Sequence, residues 1–218
     1  MATDLHLVIG NKAYSSWSLR PWIAMKAHGL VFRETVIHLD DPEAKAKILG
    51  FSPAGKVPVL QHGEMTGWES LAILDYLAEA FFDRHWWPTD PSARAMARAI
   101  SAEMHAGVSA LRSNMTMNVR RSLPGKGRAE GVGGDIARIT AIWRECRGKF
   151  GAGGPYLFGA FSNADAMFAP VVTRFKTYAV ELDAVSQAYS DAVLNHPAMK
   201  DWYASAAVEP WVIDKYEA

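Results

Sequence analysis

The sequence predicts two unlike units in series: an α/β unit over residues 1–82, a linker over 83–91 and an all-helical unit over 92–218. Three observations predict it. Short apolar runs alternate with helical patterns over the first eighty or so residues, in the order β-α-β-α-β-β-α. The stretch His85-Trp86-Trp87-Pro88-Thr89-Asp90-Pro91, dense in Pro and aromatic residues, breaks the last of those helical patterns. From Ser92 onward one helical pattern follows another, with no strand ladder between them.

Leu5 to Ile9 reads as a short buried strand, broken by Gly10-Asn11-Lys12. The next stretch, Tyr14 to Trp22, leads into an apolar helix through Ala27. Pro21 belongs in a first turn, so the helix is expected to begin near Trp17 or Ser18, with Ser15 and Ser16 just outside its positive end. Gly29 is a stop signal. Phe32 to Leu39 reads as a second strand, and Asp40-Asp41-Pro42 as the entry to a short helix through Leu49. Phe51 to Leu77 then carries a turn at Ser52 to Gly55, an apolar run Val57-Pro58-Val59-Leu60, a turn at His62-Gly63, a brief segment through Met65 and a helix from near Glu69. Proline has no N–H and is normally excluded from a central strand. A cis Val57-Pro58 bond resolves the oddity and leaves the Val57 backbone groups open to a ligand. The helix shows Leu71, Leu74, Ala78 and Phe81 at helical spacing, widened by Ile73 and Leu77.

In the second unit, Ser92 to about Val119 is expected as one long helix. Loops are expected at Pro124 to Gly127 and Gly131 to Gly134, and a helix from Asp135 to Phe150. Ser162-Asn163-Ala164-Asp165 is a capping box with Asp in place of Glu, opening an apolar helix through Tyr178. Two shorter helices follow, near Ala184 to Leu194 and Pro197 to Ala206, then a tail containing Trp211.

Composition narrows the class. Lys plus Arg equals Asp plus Glu, 23 of each, so no long-range field favours nucleic acid or an anionic membrane. No apolar run has spanning length and no secretory signal opens the chain. One Cys excludes an intrachain disulfide framework and a multi-cysteine metal site. The seven histidines show no metal-ligand spacing. These features predict a soluble, cytoplasmic protein.

The first unit has the thioredoxin-like layout. That fold often carries Cys-x-x-Cys in its first β-α turn; here the turn is serine-rich, which excludes disulfide exchange through it. The segments "SPAGKVPVL" and "ESLAILDYL" resemble the glutathione-binding half of the cytosolic glutathione transferases. Tyr14-Ser15-Ser16-Trp17-Ser18-Leu19-Arg20 is similar to the Ser-Ser-x-x-x-Arg signature of their zeta class, which includes maleylacetoacetate isomerase. The resemblance implies a catalytic serine at Ser15, or at Ser16 on a theta-like spacing. It implies glutathione contacts at Lys56, Val57, Pro58, Glu69 and Ser70: strand-like pairing with the Val57 backbone, the α-ammonium at Glu69 and the α-carboxylate at Ser70. Arg174, in Thr173-Arg174-Phe175-Lys176, resembles an Arg of the zeta class that faces the acceptor. Trp17, where the zeta pattern has Cys, and His105 complete the expected acceptor side, with Met104, Leu111 and Met115 mostly core. Homodimerisation and a role in detoxification are implied as well; metal, nucleic acid and membrane are not.

Each residue also has a plainer reading. Ser15 and Ser16 suit helix caps, Glu69 and Lys56 a solvated surface, Arg174 a structural ion pair, and Cys146 packing. Tyr14 is the rival thiol-activating group, because other classes use a tyrosine near this point. The expected activity is therefore glutathione transfer to a small electrophile. Glutathione-dependent cis-trans isomerisation of a maleylacetoacetate-type diacid is the alternative within enzymes, and a non-catalytic glutathione-binding protein the alternative outside them.

Overall fold

A computed structural model describes residues 4–217. The first part runs β1 (Leu5–Gly10), α1 (Ser16–Ala27), β2 (Arg33–Ile37), α2 (Ala44–Leu49), β3 (Val59–His62), β4 (Met65–Trp68) and α3 (Ser70–Ala80). The four strands form one mixed sheet in the order β2-β1-β3-β4, with β1 parallel to β2 and antiparallel to β3, and β3 antiparallel to β4. All of β1 is buried, as a central strand covered on both faces must be. Its side chains alternate between two cores. Leu5, Leu7 and Ile9 join the large cluster with α1, α3 and the helices beyond. Val8 joins a smaller cluster with Ile37, Ala44, Ile48 and Val59 under α2.

The second part is helical: α4 (Pro91–Ala106), α5 (Ser109–Asn114), α6 (Val132–Phe150), α7 (Asn163–Thr177), α8 (Ala184–Asn195) and α9 (Pro197–Ala207), with a 3₁₀ turn at Asp214–Tyr216. Among the described residues its extended pairing is limited to isolated bridges at Tyr156–Gly159 and Phe158–Ala160. The α7 helix is buried along nearly its whole length and packs against both α1 and α4, so one core runs through the two parts. Polar ties cross the same boundary. Arg20 Nε donates to the Met167 carbonyl at 3.2 Å, and Asn163 Nδ2 to the Leu74 carbonyl at 3.2 Å. Among the described residues no helix is long and apolar enough to cross a membrane.

Several expectations need correction. Pro21 does not sit in the first turn; α1 starts at Ser16, so Ser16 is helical and Pro21 is its sixth residue. The missing N–H removes the bond to the Trp17 carbonyl, a loss borne by a helix whose residues 18–25 are buried. The stop comes where expected. His28 is the C-cap, Gly29 has φ +66°, and the Gly29 and Leu30 N–H groups reach back to the Lys26 and Met25 carbonyls. The second strand is shorter than Phe32 to Leu39. On α3 the buried stripe is Ser70, Ile73, Leu74 and Leu77, with Leu71, Ala78 and Phe81 at its margin.

The single long helix from Ser92 is two helices. Gly107 and Val108 break it, Val108 taking a left-handed φ of +51°. Asp135 then receives the Leu111 N–H on α5 at 2.8 Å. The α6 helix begins three residues before Asp135, with Gly133 and Gly134 inside it and Gly131, at φ +82°, as its N-cap. Asp165, fully buried, accepts from the Ser162 N–H (2.8 Å), the Ser162 hydroxyl (3.0 Å) and the Leu157 N–H (3.0 Å). Burial pushes this carboxyl up to about 6 against the pull of those donors. The box thus fastens the preceding loop as well as starting α7.

Candidate functional site

Two adjoining cavities share the walls Trp17, Lys56 and Val57. The smaller, about 220 Å³, is completed by Pro58, Trp68, Glu69 and Ser70. Here the chain turns at a cis Val57-Pro58 bond and enters β3 at Val59. Opposite, Glu69 adopts φ +66°, ψ 123°, which delivers Ser70 as the first residue of α3. Ser70 is fully buried, and its Oγ has no hydrogen-bond partner among the described residues. A buried hydroxyl left unpaired costs about 1–3 kcal/mol, so this one suits a ligand oxygen. The first N–H groups of α3 and its positive dipole end suit the same negative charge. Glu69 keeps its side chain half exposed at the rim, 3.6 Å from His105 Nε2. His105 stacks edge-on against Trp17 at 5.2 Å. Burial, and then the charge of Arg20, lower its pKa from the ordinary 6.5.

The larger cavity, about 570 Å³, holds Ser15, Ser16 and Arg174 together with Arg112, Thr116, Met117 and Tyr216. Ser15 stands at the N-cap position of α1 but makes no capping bond. Its hydroxyl donates instead to Ser18 Oγ at 2.7 Å, and Ser18 Oγ also accepts the Gly10 N–H at 3.1 Å. Because hydroxyl hydrogens rotate, Ser18 can donate back to Ser15 and release the Ser15 proton toward a ligand. Ser16 is half-buried, with no side-chain hydrogen bond among the described residues.

Tyr14 lines the cavity with its ring, while its hydroxyl is fully engaged elsewhere. It donates to Glu217 (2.6 Å) and accepts from Arg120 Nη2 (2.6 Å) and the Ile213 N–H (3.3 Å). Burial and the Glu217 bond raise its pKa above 10.0. A hydroxyl so occupied is not a free donor to a sulfur.

The larger cavity is cationic. Among the described residues no carboxylate lines it, whereas Lys56, Arg112 and Arg174 do. Arg174 Nε donates to the Met115 carbonyl at 2.8 Å and Nη1 to the Pro170 carbonyl at 3.1 Å, which corrects its reading as a structural ion pair: its bonded partners are carbonyls. Burial, then the charge of Arg112, hold its pKa down at about 10. Arg112 lies over one side of Trp17, 5.3 Å from the ring, and Arg20 over it at 4.2 Å. Arg20 is fully buried, its Nη1 without a partner among the described residues, and its pKa is pushed well down by burial and by the other two arginines. Uncompensated buried charge of this kind favours an anion nearby.

Ser18, Trp68, Arg112, Thr116, Met117 and Tyr216 do not stand out in the sequence as site residues, yet they line or support the two cavities. Ser18 had a signal, its i, i+3 spacing from Ser15. Arg112 had a weaker one, the Gly107-Val108-Ser109 break that turns α5 toward the cavity. Met104, Leu111 and Met115 are core. Cys146 is buried and its thiol pushed up to about 12 by burial. Among the described residues no group of three His, Cys, Asp or Glu could hold a metal ion.

Comparison with known proteins bears on these cavities. The family described as glutathione S-transferase, N-terminal domain, matches residues 14–80. A probable maleylacetoacetate isomerase of Caenorhabditis elegans is 28% identical over 197 residues, covering 81% of this chain and 90% of the relative. Among solved structures, a Burkholderia glutathione transferase homolog with bound glutathione superposes with a TM-score of 0.72 at 20% identity, covering 94% of this chain and all of the other. A bacterial maleyl pyruvate isomerase described as a zeta-class glutathione-S-transferase gives the same TM-score at 21% identity, covering 95% and 100%.

Proposed function

We infer that this chain, a zeta-like member of the glutathione transferase superfamily, is a glutathione transferase that activates the thiol of glutathione for attack on a small electrophile. The observation that carries the reading is the smaller cavity. A proline-turned backbone edge at Val57, the rim carboxylate of Glu69 and the unpaired, buried Ser70 hydroxyl face one another there, beside the cavity that holds Ser15. These residues fit a peptide carrying an ammonium, a carboxylate and an extended backbone. The Val57 amide and carbonyl pair with the cysteinyl backbone as an added strand. Glu69 takes the α-ammonium, and Ser70 with the α3 N-terminus takes the α-carboxylate. Lys56 neighbours the bound peptide.

Glutathione supplies the thiol nucleophile. A free thiol has a pKa of about 8.5 and is mostly protonated at neutral pH. A hydrogen bond to a charged group contributes about 1.5–3 kcal/mol, and a helix N-terminus about 0.3–1 kcal/mol more. At 1.36 kcal/mol per unit these together lower the thiol by about 1.3–3 units. Ser15 is the donor in this reading, its own oxygen supported by Ser18. Serine is too weak a base to take the proton near pH 7, so the proton leaves to solvent.

The second reading is glutathione-dependent isomerisation of a maleylacetoacetate-type diacid, and the larger cavity, lined among the described residues by Lys56, Arg112 and Arg174 and no carboxylate, favours it. Arg112 and Arg174 suit acceptor carboxylates. Cytoplasmic location and homodimerisation are part of either reading; equilibrium sedimentation tests the dimer. One experiment separates the activities. Consumption of glutathione with a neutral model electrophile supports transfer, and conversion of a cis-enoic diacid without consumption supports isomerisation. Glutathione binding with neither makes the chain a binding protein.

A further inference from the structure

We propose that Glu209 is a positioning residue for the thiol-activating serine, clamping the loop that carries it from nearly two hundred residues away. The proposal rests on the reading of Ser15 given above. The loop from Asn11 to Ser15 joins β1 to α1 and belongs to neither. From inside, it winds around one carbonyl: the Tyr14 and Ser15 N–H groups both donate to Asn11 O, at 3.1 and 2.8 Å. From outside, the two preceding N–H groups converge on one carboxylate. Lys12 N–H donates to Glu209 Oε1 at 2.7 Å and Ala13 N–H to Glu209 Oε2 at 3.1 Å. Charge-assisted bonds of this kind are about twice as strong as neutral ones. Both anchors lie within three residues of Ser15.

The segment that brings Glu209 is itself tied down on the same loop. Arg120 donates to the carbonyls of Glu209 (3.0 Å) and Trp211 (2.7 Å) and to the Tyr14 hydroxyl. Tyr14 in turn donates to Glu217, and Glu217 is paired with Arg121 at 2.5 Å and bonded by Asn118 Nδ2 at 2.9 Å. Tyr14 thus does not activate a thiol; it fastens the segment 209–217 beside Ser15. That arrangement matters because catalytic contacts tolerate little displacement, and an error of about 1 Å can cost a hundredfold.

The test uses the full chain with Glu209→Gln and Glu209→Ala. Exchange of the Lys12 and Ala13 amide hydrogens, measured without ligand, reports the clamp. Ultraviolet titration of the bound glutathione thiol, with kcat and KM for a neutral electrophile, reports its consequence. The expected result is amide exchange faster by at least about tenfold and a thiol pKa raised by about one unit, one unit being tenfold in thiolate. At pH 6.5, with the parent thiol lowered to between about 5.5 and 7.2, kcat then falls by about two- to eightfold and recovers in alkaline buffer, with KM for glutathione changed less than about twofold. If Glu209→Ala fails to fold, Tyr14→Phe removes two bonds to the same segment, at Ile213 and Glu217, and one to Arg120, with no change of charge, and a smaller shift in the same direction is expected. Faster exchange with an unmoved thiol titration would overturn the proposal, since a merely structural clamp gives that result; so would unchanged exchange. Failure of the unaltered chain to bind glutathione would instead count against the function itself.

Discussion

Replacing Asp165 attacks the fold where it supports the site. Its carboxylate receives the Leu157 N–H, the Ser162 N–H and the Ser162 hydroxyl, all within a fully buried environment. In Asp165→Ala the hydroxyl can rotate to another acceptor, but the two backbone N–H groups cannot. At about 1–3 kcal/mol for each orphaned buried group, the loss is about 2–6 kcal/mol. Domains are stable by only about 5–15 kcal/mol, so the variant is expected to be partly unfolded or poorly expressed. Asp165→Asn keeps an acceptor oxygen but turns an NH₂ toward at least one donor. One orphan is then expected, with a loss of about 1–3 kcal/mol. The assay is urea unfolding followed in parallel by tryptophan fluorescence and far-ultraviolet circular dichroism. The expected result is a lower midpoint with unchanged slope and coincident transitions. Midpoints equal to the parent's in both variants would refute the reasoning, for they would mean that the three donors find other partners at no cost.

Other consequences are tested more simply. Arg174→Met is expected to raise KM for a carboxylate-bearing acceptor by about tenfold or more, the worth of one charge-assisted bond, with little change for a neutral one; steady-state kinetics with both acceptors checks it. Cys146, with its thiol near 12, is expected to resist alkylation at pH 8 in the native chain and to react in urea, read by mass spectrometry. His28, the α1 C-cap, has its ring tilted against Trp86 at 4.1 Å and is held at about 4 by burial and then by Arg84. Its folded value lies below the unfolded 6.5, so its contribution is complete above pH 6.5 and is lost as pH falls through 4. That amounts to about 3 kcal/mol at 1.36 kcal/mol per unit, and His28→Gln is expected to flatten the acid limb of the stability profile.

Local signals carried much of the architecture. Gly29 ends α1 because a left-handed φ there costs glycine nothing, and Ser162 with Asp165 opens α7 through groups three residues apart. Val57-Pro58 was legible because a proline in an apolar run is a local oddity, and Glu69-Ser70 through a helix start and the resemblance of its segment; the +66° φ of Glu69 left no mark in the sequence. What was not legible depends on distant partners. Pro21 survives inside α1 because neighbours bury that helix, and the Gly107-Val108 break is held by Asp135 and by Arg112, whose Nη1 donates to the His105 carbonyl at 2.9 Å. The occupation of Tyr14 by Glu217, two hundred residues away in sequence, leaves no mark near Tyr14. Arg112 reaches the cavity only through the turn at Val108.

The central claim is that Ser15 holds the thiol of glutathione in its ionised form. Titrating the bound thiol by its ultraviolet absorbance in the parent, Ser15→Ala and Ser16→Ala tests it most directly. The account predicts that Ser15→Ala raises the thiol pKa by about 1–2 units, the equivalent of one hydrogen bond of about 1.5–3 kcal/mol to a charged sulfur, while Ser16→Ala moves it by less than half as much. A Ser15→Ala titration that overlays the parent's would contradict it.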